Sequence, residues 1–299
     1  MSHSLKNKIQ QQLAKLNAQT TFFAKHLNSS EMIAIRENEP VNTMSVIKIP
    51  IMLLAYQDAE AGKINLSQRY QIQPEDFRGG SGILQTFDLG VCVSYRDLIT
   101  QMIITSDNTA TDILIKTLGL ERINNMLSKL EFSKTRLHKT IGEMFHREWE
   151  ITDPINKKLS NREVFELGFP SDKESTTRAQ MMFNDPNEWL GTTTAYEIAD
   201  ILEKIQNGSI VSRQYSDEML ALFQKQFYRS RLPSQIQYQV KVGNKTGDWE
   251  PIVGNDVGII YSQSGPIIIA LFVTKNYSDY FEVASTHGNI AKALLENWG

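Results

Sequence analysis

The stretch Ser45-Val-Ile-Lys-Ile-Pro-Ile-Met-Leu-Leu54 combines a serine, a lysine three residues later and an almost unbroken apolar run. Apolar residues recur in it at helical spacing, which predicts a long helix that begins near Ser45 and is closed by Gly62. Because residues i and i+3 share one face of a helix, Lys48 is predicted to lie beside Ser45.

A serine next to a lysine on a helix is a pattern that can support nucleophilic chemistry. A serine hydroxyl is a poor nucleophile until a base takes its proton. Lys48 can act as that base only where burial and neighbouring cations lower the pKa of its ammonium group. Ser45 near a helix N-terminus also places its backbone N–H where an oxyanion would be stabilised.

Strand patterns stand at both ends of the chain and helical patterns fill its middle. This order predicts an α+β fold, in which both termini build an antiparallel sheet flanked by helices around an inserted all-α lobe. Ser264-Gly265 predicts a tight hairpin turn between the last two strands. The predicted strands cover residues 20–24, 32–36, 238–242, 257–263 and 266–274.

The domain prediction follows from this division. Residues 1–44 plus 208–299 form the predicted sheet lobe, and residues 45–207 form the helical lobe. Within the latter, residues 138–191 are polar, weakly periodic and interrupted by prolines, which predicts a long omega-like loop. We expect one structural unit with the active site between the lobes.

Two further motifs follow the first in order along the chain. Ser106-Asp107-Asn108 stands at the end of a predicted helix, and Lys245-Thr246-Gly247 stands just after a predicted strand. Each motif alone is weak. Together with Ser45-Val-Ile-Lys48 they match the S-x-x-K, S-D-N and K-T-G set, so the chain resembles the penicillin-recognising serine hydrolases. Over roughly residues 20 to 299 it is most similar to class A β-lactamases.

The resemblance implies roles for the reacting groups. Ser45 would be the acylated nucleophile, and Lys48 would serve in proton transfer. Ser106 would relay a proton to the leaving nitrogen. No metal and no cofactor are implied by this chemistry.

It also implies how a substrate is bound. Asn108 would hydrogen-bond the side-chain amide of the substrate, and Lys245 and Thr246 of the third motif, which Gly247 completes, would hold its carboxylate. The backbone N–H groups of Ser45 and Asp248 would form the oxyanion hole.

The chain departs from class A enzymes in the segment that should activate the deacylating water. The Glu-x-x-Leu-Asn pattern is absent, and alignment places Ile141 where the glutamate should be. Glu143, two residues later, is the first candidate for the base. Glu174 and Glu188 are the fallbacks, because a long loop could return either carboxylate to the site.

A second departure concerns the arginine that many class A enzymes carry on the strand after the third motif. This chain has Asn255-Asp256-Val257-Gly258 there, and Arg229 or Arg231 is left as a possible substitute. Three functions therefore stay open. The first is hydrolysis of a β-lactam amide through an acyl-enzyme on Ser45. The second is a D-alanyl-D-alanine peptidase or esterase with weak β-lactam turnover, and the third is a penicillin-binding sensor that acylates without turnover.

The resemblance implies a small-molecule β-lactam or a D-Ala-D-Ala-like peptide as the partner. A formal net charge of −3 favours neither a nucleic acid nor an anionic membrane as partner. The five histidines form no metal-ligand spacing, and the single cysteine, Cys92, is predicted to be a buried structural thiol. We expect a monomer. The family implies a periplasmic or secreted enzyme, whereas the N-terminus has no signal-peptide pattern, which leaves a cytoplasmic location open.

Overall fold

A computed structural model describes residues 2–299, with side chains from residue 4 onward. The helices are α1 (Ser2–Leu13), α2 (Lys48–Glu60), α3 (Tyr95–Ile104), α4 (Asn108–Leu118), α5 (Leu120–Lys129), α6 (Ile141–Thr152), α7 (Asn161–Leu167), α8 (Ser175–Asn184), α9 (Ala195–Asn207), α10 (Arg213–Gln224) and α11 (Tyr280–Trp298). The strands are β1 (Gln19–His26), β2 (Met32–Ile35), β3 (Val41–Asn42), β4 (Arg69–Gln71), β5 (Cys92–Ser94), β6 (Arg136–Leu137), β7 (Gly191–Thr193), β8 (Val242–Trp249), β9 (Val253–Tyr261) and β10 (Pro266–Thr274).

The chain divides into two compact units. The first contains the residues up to Val46 together with Thr192–Gly299, and the second is Ile47–Gly191. The first unit holds an antiparallel sheet built from both chain ends, and helices predominate in the second. The predicted α+β fold is therefore confirmed. Helix α9, which the sequence placed in the helical lobe, groups with the sheet.

The sheet of the first unit has the strand order β2-β1-β10-β9-β8. Its central strand, β10, reads as one apolar run because both of its faces are covered. Ile267, Ile269 and Leu271 join the core formed with α1 and α11. The alternate residues, such as Phe272, are buried on the opposite face, where α9 packs. The predicted turn at Ser264-Gly265 does connect β9 to β10, with Tyr261 opposite Pro266.

Strand β8 lies further along the chain than its residue pattern predicts. The expected strand was residues 238–242, whereas β8 covers Val242–Trp249 and therefore includes the third motif. Glycines at 243 and 247 weaken the β-pattern there, and in strands glycine often marks a close approach of another segment. A Cβ at Gly243 would lie 2.9 Å from Cβ of Phe223 on α10.

In the second unit, α2 is the central helix. All of its residues from Lys48 to Tyr56 are buried, and α3, α4 and α5 pack against it. It ends as predicted, with Gly62 in the left-handed region at φ 68° just beyond the last turn. Continuous burial explains why this stretch is almost entirely apolar.

Residues 138–191 are not the extended loop that weak periodicity predicted, because α6, α7 and α8 lie within them. Short helices give only one or two apolar repeats, so their periodicity is faint. The missed signal was capping: Thr140 with Glu143 and Ser160 with Glu163 form capping boxes at the starts of α6 and α7.

The prediction for Cys92 was wrong, because this thiol is exposed. Cys92 lies on β5, which pairs with β4 in a two-stranded ribbon opposite Gln71. Such a ribbon leaves much of its surface open to water. Within residues 2–299, no helix combines the length and the apolar composition needed to cross a membrane.

Candidate active site

Ser45 lies in a single turn of 3-10 helix, Met44–Ile47, that leads directly into α2. The residue before it, Met44, has a φ of 43°, a conformation that non-glycine residues adopt only where surrounding contacts enforce it. Here the Met44 N–H donates to Asn42 Oδ1 at 3.1 Å, and Asn255 Nδ2 on β9 donates to the Asn42 carbonyl at 2.9 Å. Ser45 itself remains partly exposed to solvent.

Strand β8 passes close to this turn at Gly247. A Cβ on Gly247 would lie 2.5 Å from the Thr43 carbonyl oxygen and 3.1 Å from the Val46 nitrogen, so any larger residue would force the two segments apart. The close approach brings the N-terminal turn that carries Ser45 next to the strand that carries Asp248. The two backbone N–H groups assigned by resemblance to the oxyanion hole therefore belong to segments in contact.

The second unit brings together Lys48, Ser106 and Asn108. Lys48 is fully buried at the start of α2. Its Nζ donates to the Ser106 carbonyl at 2.6 Å, to Ser106 Oγ at 3.2 Å and to Asn108 Oδ1 at 2.8 Å. A lysine and a serine hydroxyl in hydrogen-bond contact, removed from bulk water, can exchange a proton. The structure thus joins the lysine of the first motif to both polar residues predicted from the second.

The second motif is held in an unusual backbone conformation. Ser106 has a φ of 57°, and the buried Asp107 that follows caps α4 by accepting the Ala110 N–H at 2.9 Å. The other oxygen of Asp107 accepts the Leu84 N–H at 2.8 Å. Because both carboxylate oxygens bind backbone donors, Asp107 fixes the turn rather than offering a group to a substrate.

Residues 79–82, Gly-Gly-Ser-Gly, support the same cluster and were missed by sequence reasoning. Ser81 Oγ donates to the Ser106 carbonyl at 2.8 Å, and Asn108 Nδ2 donates to the Gly79 carbonyl at 2.9 Å. A Cβ at Gly82 would lie 2.3 Å from Cα of Asp107. Three glycines in four residues were the available signal, since glycine clusters mark close backbone approach.

The third motif places Lys245 and Thr246 in the interior of the first unit. Lys245 is fully buried and its Nζ donates to the Thr246 carbonyl at 2.8 Å. Burial lowers the pKa of Lys245 to about 7, against the opposing effect of the carboxylates of Asp248 and Asp256. The charge of this side chain therefore titrates near neutral pH.

A comparison with known proteins identifies the family of the chain. The model of the beta-lactamase enzyme family matches residues 4–298, which is nearly the whole chain. The protein belongs to this family. The predicted resemblance to β-lactamases is thereby confirmed.

Three similar proteins share about a fifth of their residues with this chain. Beta-lactamase VEB-1 of Pseudomonas aeruginosa is 22% identical over 280 residues, which cover 90% of this chain and 82% of the relative. The solved beta-lactamase of Sphaerobacter thermophilus DSM 20745 superposes with a TM-score of 0.78 at 22% identity, over 99% of this chain and 96% of that one. PBP-A superposes with a TM-score of 0.77 at 20% identity, over 98% and 95% of the two chains.

Within this β-lactamase family member, the candidate deacylating glutamates have other partners. The exposed Glu143 accepts the Thr140 N–H at 2.7 Å and so completes the capping box of α6. Glu188 pairs with Arg147 at 2.9 Å and with Lys139 at 3.3 Å. Glu174, with 82% of its side chain exposed, lies 3.9 Å from Arg178. None of these contacts links the three carboxylates to Lys48 or Ser106.

The two arginines considered for the substrate carboxylate differ sharply. Arg229 is exposed, whereas Arg231 is 5% exposed and forms an ion pair with Asp248. Tyr280 on α11, which sequence reasoning missed, contacts both partners of this pair. Among the described residues, no cluster of three or more histidine, cysteine, aspartate or glutamate side chains is suited to a metal ion.

Proposed function

We propose that this protein is a serine hydrolase of the β-lactamase family that opens a β-lactam amide through an acyl-enzyme on Ser45. The observation that carries the proposal concerns Lys48, which is buried and lies about one helical turn after Ser45. Its Nζ contacts Ser106 Oγ at 3.2 Å. A desolvated lysine in this place has the chemistry of a proton acceptor. Membership of the family supports the same assignment.

Acylation would move one proton along these residues. Lys48, in its unprotonated form, would take the proton of the Ser45 hydroxyl as Oγ attacks the carbonyl carbon. The electron pair of the C=O π bond moves onto oxygen, which gives the tetrahedral oxyanion. The backbone N–H groups of Ser45 and Asp248 stabilise that oxyanion. The proton then passes through Ser106 to the departing nitrogen, the amide bond breaks, and the ester to Ser45 remains.

Substrate binding would use the polar groups that the resemblance assigns to it. Asn108, whose Nδ2 donates to the Gly79 carbonyl at 2.9 Å, presents an amide held at a fixed angle. Thr246 lies on β8 beside Lys245 and before the glycine that approaches the Ser45 turn. We assign Asn108 to the side-chain amide of the substrate, and Lys245 and Thr246 to its polar end.

One observation favours a second candidate, a D-alanyl-D-alanine peptidase or esterase with weak β-lactam turnover. Where class A enzymes carry the deacylating glutamate, this chain has Ile141, which is 2% exposed. An isoleucine cannot activate water. A β-lactam acyl-enzyme would then persist, while a natural acyl group with a less hindered ester would still be released.

Intact-protein mass spectrometry after mixing with benzylpenicillin, followed over time, tests the proposal. A mass increase equal to one benzylpenicillin, mapped to the peptide that contains Ser45, is the expected result. An adduct that decays with release of penicilloate supports β-lactamase action. A lasting adduct supports the peptidase or esterase, or the penicillin-binding sensor, and turnover of a D-Ala-D-Ala peptide or a nitrophenyl ester separates those two. No adduct at Ser45 would contradict the proposal.

A further inference from the structure

Four charged side chains surround the third motif within the first unit. They are two cations, Lys245 and Arg231, and two carboxylates, Asp248 and Asp256. Lys245, Arg231 and Asp256 are buried, whereas 39% of the Asp248 side chain is exposed. When Lys245 and Asp256 are both ionised, the formal charges of these four side chains cancel, so the cluster carries no net positive charge.

The guanidinium group of Arg231 is already engaged by its own chain. Its Nη2 donates to Asp248 Oδ1 and, at 2.7 Å, to the hydroxyl of Tyr280, while Nη1 donates to the Asn255 carbonyl at 3.2 Å. The same guanidinium carbon lies 5.4 Å from the centre of the Tyr280 ring. The Nε atom has no hydrogen-bond partner in the described part of the chain, so the engagement is through the two Nη atoms. A second carboxylate could bind Nη2 only if Asp248 or Tyr280 released it.

One oxygen of Asp248, Oδ1, is bound by both Arg231 and Tyr280. The Tyr280 hydroxyl lies 2.8 Å from Asp248 Oδ1 and 2.9 Å from the Val253 carbonyl. Asp248 ends up on the exposed side of the cluster, at the end of β8 and next to the close approach of Gly247 to the Ser45 turn. Its carboxylate is therefore the most solvent-exposed charge of this cluster.

Asp256 adds a second negative charge beneath the strand. It is fully buried on β9 opposite Thr246. Its Oδ2 accepts the Leu232 N–H at 3.0 Å, and its two oxygens lie 3.0 and 3.1 Å from Asn244 Nδ2. Asp256 belongs to the stretch 255–258, where class A enzymes commonly carry an arginine. This stretch contains an acid and no cation.

We propose that Asp248 is a specificity-determining residue, which neutralises Arg231 and removes the preference of the site for acyl substrates with a carboxylate beside the scissile bond, so that neutral esters and amides acylate Ser45 at least as fast. An anionic substrate group would meet a fixed like charge, and it would have to share a cation that already has a partner. A neutral ester or amide meets neither cost. This inference rests on the proposed acylation at Ser45 and names the substrate class of the same site.

Two probes, benzylpenicillin and its methyl ester, test how the charge of the substrate affects acylation. They differ only in whether the carboxylate is free or esterified. The second-order rate constant for acylation of the full chain is measured for each probe by mass spectrometry. For the wild-type protein the ester is expected to react at least as fast as the acid. An acid that reacts about tenfold faster than the ester would overturn the inference without touching the proposed acylation. Acylation by neither probe would overturn the proposed function, and the inference with it.

The variant Asp248→Asn then isolates the residue, because the amide keeps the shape and the backbone N–H while removing the charge. The ratio of the acid rate constant to the ester rate constant is expected to rise about tenfold. Asp217→Asn is the control, since Asp217 is an exposed aspartate that also pairs with an arginine, Arg213, and its loss changes the net charge equally. An equal change of the ratio in both variants, or no change in Asp248→Asn, would overturn the inference. If Asp248→Asn does not fold, the ratio of the two acylation rate constants in the wild-type protein still tests the inference.

Discussion

The carboxylate of Asp112 accepts the backbone N–H of Ile141 at 2.8 Å. Its other oxygen accepts the Gly142 N–H at 2.8 Å and pairs with Arg78 Nε at 2.7 Å. Asp112 lies one turn after Asn108 on α4, so the first turn of α6 is fixed to the helix that presents a proposed substrate-binding amide. The backbone at the position expected to hold a catalytic glutamate is thus fixed by hydrogen bonds, and the residue there is an isoleucine.

Ile141→Glu is expected to shorten the lifetime of a benzylpenicillin adduct at least about tenfold, because it supplies a general base that the chain lacks at this position. Near-complete burial would raise the pKa of the new carboxyl, which favours base catalysis near neutral pH. Adduct decay is followed by mass spectrometry. Ile141→Gln is the matched control, since it has nearly the same shape and no base. Equal lifetimes in the two variants would contradict the expectation.

Glu143→Gln is expected to leave the lifetime of the adduct unchanged within about twofold, because the Glu143 carboxylate is exposed and serves the capping box of α6. Glutamine can also complete a capping box, so the fold should be preserved. A trapped adduct, with turnover lost and the unfolding curve unchanged, would instead identify Glu143 as the hydrolytic base.

Asp112→Ala is expected to destabilise the protein by about 3 kcal/mol, since it leaves the mostly buried Arg78 without its carboxylate and two buried N–H groups without an acceptor. Asp112→Asn keeps one acceptor oxygen and should lose less. Urea unfolding measures both. A decrease in the free energy of unfolding below about 1 kcal/mol for Asp112→Ala would show that these contacts of Asp112 contribute little to stability.

Ser45→Ala is expected to abolish covalent labelling by benzylpenicillin and to leave far-UV circular dichroism unchanged, because the partly exposed hydroxyl is the only atom removed. Ser81→Ala, which removes a hydroxyl that supports the Ser106 carbonyl at 2.8 Å, is the comparison. It should slow labelling without eliminating it. Labelling that persists in Ser45→Ala would rule out this serine as the nucleophile.

Glu148 on α6 should make stability depend on pH. It is 6% exposed, its Oε2 has no hydrogen-bond partner, and burial raises its pKa from 4.5 to about 8. Between these two values the folded chain holds a proton that the unfolded chain has lost. The free energy of unfolding therefore falls as pH rises through this window, by up to about 1.4 kcal/mol per pH unit from this group.

Glu148→Gln removes that loss, so its stability relative to the wild type should increase from pH 5 to pH 8 and then level off. Urea unfolding at pH 5, 7 and 9 measures the difference. Glu150→Gln serves as the control on the same helix, because Glu150 is partly exposed and paired with Arg147 at 3.3 Å. A parallel pH profile for both variants would argue against a protonated Glu148 in the folded chain.

Several elements could be predicted because their signals are local. The apolar run of β10, the helical spacing after Ser45 and the Ser264-Gly265 turn each depend on a few neighbouring residues, and each prediction was confirmed. The capping boxes at Thr140 and Ser160 were equally local, and they were missed because apolar periodicity alone was followed. The position of β8 failed for a different reason, since its glycines serve contacts with Phe223 and the Ser45 turn that lie far away in sequence.

By itself, the sequence determined the fold class, the family and the identity of the residues proposed for acylation, because three short motifs in order and the spacing of apolar residues are written in the chain. Only the tertiary structure decided the charges and partners of those residues. Arg231 meets Asp248 and Tyr280 across 17 and 49 positions of sequence, and Asp112 meets Ile141 across 29. Burial and electrostatic pairing arise from such distant contacts, and no local pattern records which carboxylate will reach which cation.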